Sequence, residues 1–363
     1  MDTAIALRRA ALIGFLAILL LLGGLALSFR LLLLPVVVLF ENAFATVASD
    51  FISQADLPVA RHYAGGAMII AGGYLLYIAI RGVLREVMRI LNPGQAGNIA
   101  GTFWKQQVLA AGPNIVALGG GTGLSTLLRG LKSKSSRITA IVTMSDDGGS
   151  SGRLIADKKM LPPGDIRNCL VALADSDKLM ADLFQHRFEG ASGSLSGHST
   201  GNLLIAALMD ITGDFDKAIR EVSRVLAIRG RVIPVTLDPV CLRAVMENGD
   251  EIFGETKIVN SQQRIRHIYL EPPDCQVVPK ALDAIQKADV IVLGPGSIYT
   301  SVIPPLLVPG IADALANSSA LKIYVCNVMT QPGESDHFSA SDHVRAIESN
   351  VGKRVFDHVL VNK

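Results

Sequence analysis

Glycine-rich loops that follow apolar, strand-like runs are the first residues in this chain that could do chemistry. In NIVALGGGTGLSTLLRGL, an apolar run leads through glycines and a threonine into a helical stretch. Backbone N–H groups can approach an anion where side chains are missing, and the start of a helix adds its dipole. The loop lacks the GK[ST] of a P-loop, and a tight turn is the structural alternative. We expect a phosphate group to bind at Gly119, Gly120, Gly121, Thr122 and Gly123.

A second loop of this kind follows the strand-like run ADVIVL, where the sequence reads GPGSIYTS. Its candidate ligand-binding residues are Gly294, Gly296 and Ser297. The next strand-like run, KIYVCNV, supplies a further candidate, Asn327. An ordinary turn needs fewer glycines than these loops contain. Repeated glycine loops at strand ends therefore favour a binding site over ordinary turns.

An acidic loop, SDDGGSSGR, follows the strand-like run ITAIVTM. A carboxylate at the tip of the second strand is where a ribose hydroxyl is commonly held in dinucleotide-binding folds. Asp146 and Asp147 could equally hold Mg²⁺ together with a phosphate-bearing ligand. A solvated turn is the structural alternative, because acidic residues next to glycine are common in turns.

Polar residues at two predicted helix starts complete the candidate site. LPPGDIRNCLVAL contains Asp165, Arg167 and Asn168, and SLSGHSTGNLLIAAL contains His198 and Asn202. An arginine fork suits a phosphate group, whereas Asp165 could be only a helix cap. His198 could act as a general acid or base, and a hydrogen-bonded structural histidine is the more common case. The chain contains no HExxH, GxSxG or protein-kinase signature.

These loops require a parallel sheet that brings several strand ends to one edge. From Asn114 onward, short apolar runs alternate with helical stretches, which is typical of βαβ units. The runs interpreted as strands are NIVAL, ITAIVTM, VIPVT, ADVIVL, KIYVCNV and VFDHVLV. We therefore predict an α/β domain over residues 112–363, with a Rossmann-like, mostly parallel sheet and helices on both faces.

Composition indicates a membrane rather than a nucleic-acid partner. The formal net charge is only +2 and aromatic residues make up 5% of the 363 residues, so there is no basic stripe with interleaved aromatic residues. A mean hydropathy of +0.40 is high for a soluble enzyme. The chain is therefore expected to contact lipid.

Two apolar runs before the α/β domain predict a transmembrane hairpin over residues 1–90, with spans at about 10–34 and 64–80. The first run is interrupted at Arg30 and Pro35, so it could be one tilted helix or a helix followed by an interfacial segment. A secretory signal peptide is a poorer interpretation because its apolar core is shorter. The basic residues that flank the runs predict that both termini and the α/β domain are cytoplasmic: Arg8, Arg9, Arg81, Arg85 and Arg89.

Two further predictions concern the residues around the second span. Glycines in this span could let the helices pack closely or could be ordinary membrane-helix glycines: Gly65, Gly66, Gly72 and Gly73. Residues 91–111 contain NPGQAGNIAGT and are predicted to be a linker.

Seven segments together resemble the YvcK-type gluconeogenesis-factor family, which is related to the CofD-type phospholactate transferases. They are GGGTGLSTLLRGLK, SDDGGSSGRL, LPPGDIRNCLVAL, SGHSTGNLL, RGRVIPVT, GPGSIYTSVIP and YVCNVMTQPGESD. The resemblance implies that the domain binds a UDP-sugar such as UDP-N-acetylglucosamine. It also implies a regulatory role in carbon metabolism and in cell-wall synthesis or cell shape. Family members continue beyond a strand like VFDHVLV, so this chain is expected to be shorter at its carboxyl end.

Three functions are open at this point. The first is a membrane-tethered UDP-sugar sensor without catalytic residues, which acts on an unidentified protein partner and could be a homodimer. The second is a Mg²⁺-dependent transferase that moves a phosphorus-containing group from a nucleoside diphosphate donor to a hydroxyl acceptor. The third, a nicotinamide-dependent oxidoreductase, has the least support because the dinucleotide fingerprint is incomplete. We favour ligand binding and regulation over catalysis.

Overall fold

The structure is a computed structural model that describes residues 12–24, 34–48, 57–91, 107–175, 178–188 and 195–362. The chain divides into two units, Met1–Lys105 and Gln106–Lys363.

The described part of the first unit is helical. Its helices are α1 Leu12–Gly24, α2 Leu34–Ala48 and α3 Leu57–Leu91. Pro35 is the second residue of α2, where the missing N–H of proline costs no intrahelical hydrogen bond. Leu34–Phe40 of the apolar run LLLLPVVVLF therefore belong to helix α2.

Close helix packing in this unit depends on one of the predicted glycines. A Cβ atom on Gly72 would lie 3.1 Å from the carbonyl oxygen of Ala17 on α1 and 2.9 Å from the Leu21 side chain. Gly66 and Gly73 have no such neighbour within 4 Å. Gly72 thus makes the close approach that small residues allow, while Gly66 and Gly73 have no packing role among the described residues.

The prediction of a two-span transmembrane hairpin is not supported. Among the described residues, one continuous helical segment, the 25 residues of Val59–Val83, is long and apolar enough to cross a membrane, and an 18-residue stretch within it has a mean hydropathy of 1.6. It includes the predicted second span, 64–80. Within the predicted first span, 10–34, the described helix Leu12–Gly24 is too short to cross, and residues 10–11 and 25–33 lie outside the described residues.

The second unit is built on a six-stranded parallel sheet, which confirms the α/β prediction. The strand order is β3-β2-β1-β7-β8-β9, so strand order reverses between β1 and β7. Chain segments leave β1 and its neighbours in opposite directions at this point, which opens a crevice at the carboxyl ends of the strands. The strands are β1 Ile115–Gly119, β2 Ile138–Val142, β3 Arg231–Pro234, β7 Val290–Leu293, β8 Leu321–Val325 and β9 His358–Leu360.

Helices pack against this sheet and bury its apolar side chains. Leu118, Ile141 and Leu293 on the three central strands are each at most 1% exposed. The near-continuous apolar runs in the sequence reflect strands that are covered on both faces. The helices of this unit are α4 Gly121–Leu131, α5 Gly149–Lys158, α6 Gly164–Leu173, α7 Lys178–Gln185, α8 Thr200–Thr212, α9 Phe215–Val225, α10 Glu255–Ser261, α11 Pro279–Gln286, α12 Pro304–Leu307, α13 Ile311–Asn317 and α14 Ala340–Val351.

Two features differ from the simple βαβ pattern. A separate antiparallel sheet, in the order β5-β4-β6, is formed by β4 Cys241–Met246, β5 Glu251–Phe253 and β6 Ile265–Glu271. A π-helix, Ile298–Val302, follows β7 and leads into α12. The antiparallel sheet was not predicted from the sequence, because the predicted strands were continuous apolar runs. Only one face of this sheet is buried, so its apolar residues alternate with polar ones.

Candidate functional site

A cavity of about 490 Å³ lies at the carboxyl ends of β1, β2 and β7, where strand order reverses. This is the position at which ligands bind in open parallel sheets. It is hereafter called the carboxyl-end cavity. Its lining consists of Gly120, Gly121, Thr122, Gly123, Asp146, Gly148, Asp165, Asn168, Glu255, Thr256, Val259, Asn260, Gly296, Ser297, Thr300, Ser301 and Gln331.

The first glycine loop meets this cavity at the start of α4. Gly121 has a φ of +65°, a left-handed conformation that favours glycine. Gly120 precedes α4 without any side-chain cap, and the first turn of α4 contains no acidic residue. Uncapped N–H groups at a helix start attract anions. This edge of the cavity is therefore suited to a phosphate group.

The first loop packs tightly against its neighbours. A Cβ atom on Gly123 would lie 2.4 Å from the carbonyl oxygen of Pro295, and one on Gly120 would lie 2.5 Å from Oδ2 of Asp165. Both distances are too short for a real Cβ contact. Glycine at these positions thus lets the first loop, the β7 loop and α6 meet around one cavity.

The β7 loop is held in place by side chains that follow β8. The Gly296 N–H donates to Oδ1 of Asn327 at 2.9 Å. Asn327 itself does not line the cavity, so it supports the loop from behind. The Ser297 hydroxyl lies 2.6 Å from Oε1 of Gln331 and 2.6 Å from Oε2 of Glu334.

A single hydroxyl proton cannot be donated to both acceptors of Ser297. Burial raises the pKa of Glu334, which is 5% exposed. A protonated Glu334 would donate to Ser297, and Ser297 would then donate to Gln331. The β7 loop is therefore connected to a buried carboxyl group whose protonated form completes the hydrogen bonds.

The two aspartates of the acidic loop have different roles. Asp146 lines the cavity, and its Oδ1 accepts from the Gly148 N–H at 2.9 Å. Asp147 instead accepts from the N–H and the hydroxyl of Thr256 at 2.8 and 2.7 Å. Thr256 is in the first turn of α10, so Asp147 caps that helix. The predicted pair of metal ligands therefore does not face the cavity together.

Asp165 completes the acidic wall of the cavity on α6. Its carboxylate accepts a hydrogen bond from the Gly121 N–H. Burial, and then the nearby charge of Asp146, raise the pKa of Asp165 to about 6. Asn168, one turn further along α6, also lines the cavity.

Arg167 points away from the cavity into a buried polar network. It is 4% exposed, and burial lowers its pKa to about 10. Its Nη1 donates to Oγ of Ser199 and, at 3.0 Å, to Oδ1 of Asn202. Its Nη2 donates to Oδ1 of Asn168 at 2.8 Å. Arg167 thus orients Asn168 and the start of α8.

The same network contains the predicted residues His198 and Asn202. The Asn202 side-chain amide donates to the Ser150 hydroxyl at 3.1 Å, and Ser150 lies 2.9 Å from Nδ1 of His198. Burial lowers the pKa of His198. These contacts connect the starts of α5, α6 and α8. They are the contacts expected of a hydrogen-bonded structural histidine at position 198.

The sequence-predicted residues thus fall into two groups. Nine of them line the cavity: Gly120, Gly121, Thr122, Gly123, Asp146, Asp165, Asn168, Gly296 and Ser297. Seven lie next to it without lining it: Gly119, Asp147, Arg167, His198, Asn202, Gly294 and Asn327. Their role in ligand binding stays a prediction.

Residues of α10 line the cavity although no sequence motif indicated them. Glu255, Thr256 and Asn260 come from the segment between the antiparallel strands β5 and β6. Burial and then the charges of Asp146 and Asp165 raise the pKa of Glu255 to about 9. The polar stretch GETKIVNS carries no glycine pattern or known spacing, so only the fold reveals its position.

The carboxylates do not form a metal site by themselves. Within the described ranges, no group of three or more histidine, cysteine, aspartate or glutamate side chains is arranged to hold a metal ion. Mg²⁺ commonly binds through one or two carboxylates together with phosphate oxygens. Asp146 and Asp165 fit a magnesium ion only when a ligand supplies the remaining oxygens.

Comparison with known proteins identifies the family. A family model described as "2-phospho-L-lactate transferase CofD" matches residues 115–363. A "gluconeogenesis factor" of Halalkalibacterium halodurans is 53% identical over 249 residues, which are 69% of this chain and 77% of the relative. That of Bacillus subtilis is 52% identical over 250 residues, 69% of this chain and 78% of the relative.

Two further comparisons extend this result. A "putative gluconeogenesis factor" of Nostoc sp. is 46% identical over 369 residues, covering 100% of this chain and 78% of the relative. A crystal structure of a UPF0052-family protein from Bacillus halodurans superposes with a TM-score of 0.67 at 52% identity. It covers 69% of this chain and 80% of that chain. The chain therefore belongs to the CofD family and, within it, to the gluconeogenesis factors.

Proposed function

We propose that the α/β unit is a UDP-sugar sensor that binds UDP-N-acetylglucosamine or a closely similar nucleotide sugar without turning it over. In this role it regulates carbon metabolism and cell-wall synthesis or cell shape through a protein partner. The observation that carries the proposal is the glycine-rich start of α4, which has no N-cap side chain and lines a cavity at the β1/β7 crevice.

The size of the cavity suits a small ligand. Its volume of about 490 Å³ falls within the usual range of roughly 300–1,000 Å³ for ligand pockets. The diphosphate would bind against the Gly120–Gly123 loop and the Gly296–Ser297 loop, both of which line the cavity. At Gly121, where a Cβ atom would meet only the Ser301 hydroxyl at 3.5 Å, glycine leaves room for phosphate oxygens near the backbone.

The polar lining suits the hydroxyl-rich parts of a nucleotide sugar. Asp146 and Asp165 can accept hydrogen bonds from ribose or sugar hydroxyls. Asn168, Asn260 and Gln331 supply amide groups, which can both donate and accept. Glu255 is protonated at neutral pH because its pKa is raised to about 9, so it can donate a hydrogen bond without repelling a diphosphate.

We further propose that the protein is attached to the membrane. The apolar segment Val59–Val83 supports this, and three arginines in or after it favour a cytoplasmic α/β unit: Arg81, Arg85 and Arg89. The final steps of cell-wall precursor synthesis take place at membranes. Attachment would therefore place the sensor near the pathway that uses its ligand.

Isothermal titration of the full chain in detergent micelles tests the sensor proposal. UDP-N-acetylglucosamine, UDP-glucose, GDP and NAD are titrated with and without Mg²⁺, and each mixture is then checked for product. We expect the two UDP-sugars to bind and to be recovered unchanged, and GDP and NAD not to bind. Failure of both UDP-sugars to bind would show that the proposal is wrong.

A Mg²⁺-dependent transferase is the second candidate. The convergence of Asp146 and Asp165 on one cavity favours it, because a magnesium ion bound there could neutralise a leaving phosphate. In such a reaction an acceptor hydroxyl attacks the phosphorus, and a nucleoside monophosphate leaves. None of the described residues that line the cavity is aromatic, which weighs against a large aromatic acceptor. Mg²⁺-dependent binding of GDP without binding of UDP-sugars would support the transferase.

A further inference from the structure

A second cavity of about 490 Å³ lies at the opposite end of the sheet. It is formed by the amino ends of β1, β2 and β3 together with the end of α11, and is called the amino-end cavity. It contains none of the candidate residues for binding the nucleotide sugar. Its lining consists of Asn114, Ile115, Val116, Ser136, Arg137, Ile138, Thr139, Gly230, Arg231, Asp283, Ala284 and Lys287.

Two arginines of this cavity lie on one face of the sheet. Arg231 is the first residue of β3 and pairs with Thr139 of β2. Arg137 precedes Thr139 by two residues, and residues two apart in a strand share a face. Arg137 and Arg231 are thus neighbours at the edge of the cavity.

The backbone holds Arg231 firmly in this place. Gly230, immediately before it, has a φ of +101°, and a Cβ atom there would lie 2.3 Å from the carbonyl oxygen of Ile138. Only glycine allows the two chains to approach so closely. The start of β3 is therefore fixed against β2, which sets the spacing between the two arginines.

Most other basic side chains near this end of the sheet have acidic partners. Arg229 is paired with Asp175, and Lys287 is paired with Asp283 at 2.5 Å. In the part of the chain that the structure describes, no ion pair includes Arg137 or Arg231. The only hydrogen bond that the Arg137 guanidinium donates among these residues is a long one, 3.5 Å from Nη1 to the carbonyl oxygen of Gly112.

We propose that the amino-end cavity binds a phosphate-bearing anion between Arg137 and Arg231. Arginine presents a planar fork of N–H donors that matches phosphate oxygens and is less strongly hydrated than lysine. The cavity is lined by three basic side chains and one acidic side chain, so a ligand with two negative charges would balance their net positive charge. This site is separate from the carboxyl-end cavity and does not depend on its proposed function.

The phosphate could belong to a soluble molecule or to a phospholipid headgroup. Asn114 lines the cavity and follows the apolar segment Val59–Val83 by 31 residues in the sequence. Anionic lipid surfaces attract clusters of basic residues. The shared chemistry is the phosphate group, and the experiment below distinguishes its two sources.

Arginine-selective labelling with phenylglyoxal tests the proposal without a variant that could unfold. The full chain is placed in nanodiscs of phosphatidylcholine, and the labelling rate of each arginine is followed by mass spectrometry with and without pyrophosphate. We expect pyrophosphate at ten times its Kd to slow labelling of Arg137 and Arg231 by about tenfold. Arg224 and Arg345, which are paired with Glu221 and Asp342 on exposed helix faces, serve as internal controls.

Two comparisons make the labelling result decisive. Arg231→Gln should remove the protection of Arg137 if both residues hold one anion, whereas Arg224→Gln should leave it unchanged. Nanodiscs made from equal parts of phosphatidylcholine and phosphatidic acid distinguish the sources. Protection there without pyrophosphate supports a lipid headgroup, and protection only after pyrophosphate is added supports a soluble ligand. Equal protection of all four arginines, or protection of none, would overturn the proposal.

Discussion

The two cavities of the α/β unit have the same volume, about 490 Å³, but opposite linings. The carboxyl-end cavity is lined by glycine backbone and by carboxyl groups, whereas the amino-end cavity is lined by arginines. The direction of parallel strands explains the difference. Strands lead into helix starts at their carboxyl ends, where free N–H groups supply positive partial charge. At their amino ends strands follow helix ends, which expose carbonyl groups, so positive charge must come from side chains.

Gly121→Val should give the largest difference between the two cavities, because it should weaken ligand binding at the carboxyl-end cavity only. Valine at a φ of +65° is strained by about 1–3 kcal/mol, and its side chain would occupy the position proposed for the phosphate. We expect UDP-N-acetylglucosamine affinity to fall by at least about 100-fold, or about 2.8 kcal/mol, in isothermal titration. Pyrophosphate protection of Arg137 should be unchanged, because that residue lies at the other end of the sheet.

Gly130→Ala is the matched control for this variant. Gly130 lies within the same helix, and a Cβ atom there meets nothing within 4 Å. Alanine should stabilise the protein by about 0.5–1 kcal/mol and leave both affinities unchanged. Normal ligand binding by the Gly121→Val protein would show that the first loop is not the phosphate site, and the contrast between the cavities would then lose its main support.

Glu255→Gln tests the electrostatics of the carboxyl-end cavity. The pKa of Glu255 is raised from 4.5 to about 9, so the folded state holds this proton more tightly than the unfolded chain does. The resulting stability is fully present below about pH 4.5 and is lost as the pH rises toward 9. Glutamine removes this dependence. The variant should therefore gain about 2 kcal/mol over the parent between pH 5 and pH 8, because solvent at this partly buried side chain reduces the full effect.

Urea denaturation of the full chain in detergent micelles at these two pH values measures the gain. Glu221→Gln is the control, since Glu221 is partly exposed and paired with Arg224 on the surface. Its stability relative to the parent should change little with pH. A Glu255→Gln protein whose relative stability is the same at both pH values would show that Glu255 is solvated and does not form part of a closely packed acidic wall.

The adjacent aspartates should give the smallest effect. Asp147→Ala removes the cap of α10 and should cost about 1 kcal/mol of stability, with UDP-sugar affinity changed by less than about threefold with or without Mg²⁺. Asp146→Ala, at the cavity lining, should weaken binding by about tenfold with little loss of stability. Thermal unfolding and isothermal titration of both proteins compare the two. Loss of affinity in Asp147→Ala only when Mg²⁺ is present would restore Asp147 as a metal ligand.

The sequence was most informative about the regular part of the fold. The six apolar runs interpreted as strands correspond to β1, β2, β3, β7, β8 and β9 of the parallel sheet. Strands covered on both faces need continuous apolar runs, and glycine loops stand out at their ends. The first unit was harder to predict, because hydropathy alone does not show that Pro35 lies in the first turn of α2.

Arg167 and Glu255 show which features of the site the sequence did not indicate. An arginine next to glycine loops suggested a phosphate ligand, but Arg167 is bonded to Ser199, Asn202 and Asn168. Glu255 lines the cavity although its own segment has no motif. Both outcomes depend on contacts between residues far apart in the chain, which spacing along the sequence does not record.

The sequence by itself determined which residue types follow each buried strand, and that glycines at those points allow another group to approach the backbone closely. Local periodicity and backbone conformational freedom are properties of short segments, so they can be recognised without a fold. Only the tertiary structure decided which of two neighbouring aspartates lines the cavity and which arginine is buried in a network. It also decided which two arginines, at the other end of the sheet, have no ion pair with any of the described residues. Those outcomes are set by packing between distant segments, because burial and pairing depend on what surrounds a side chain in space.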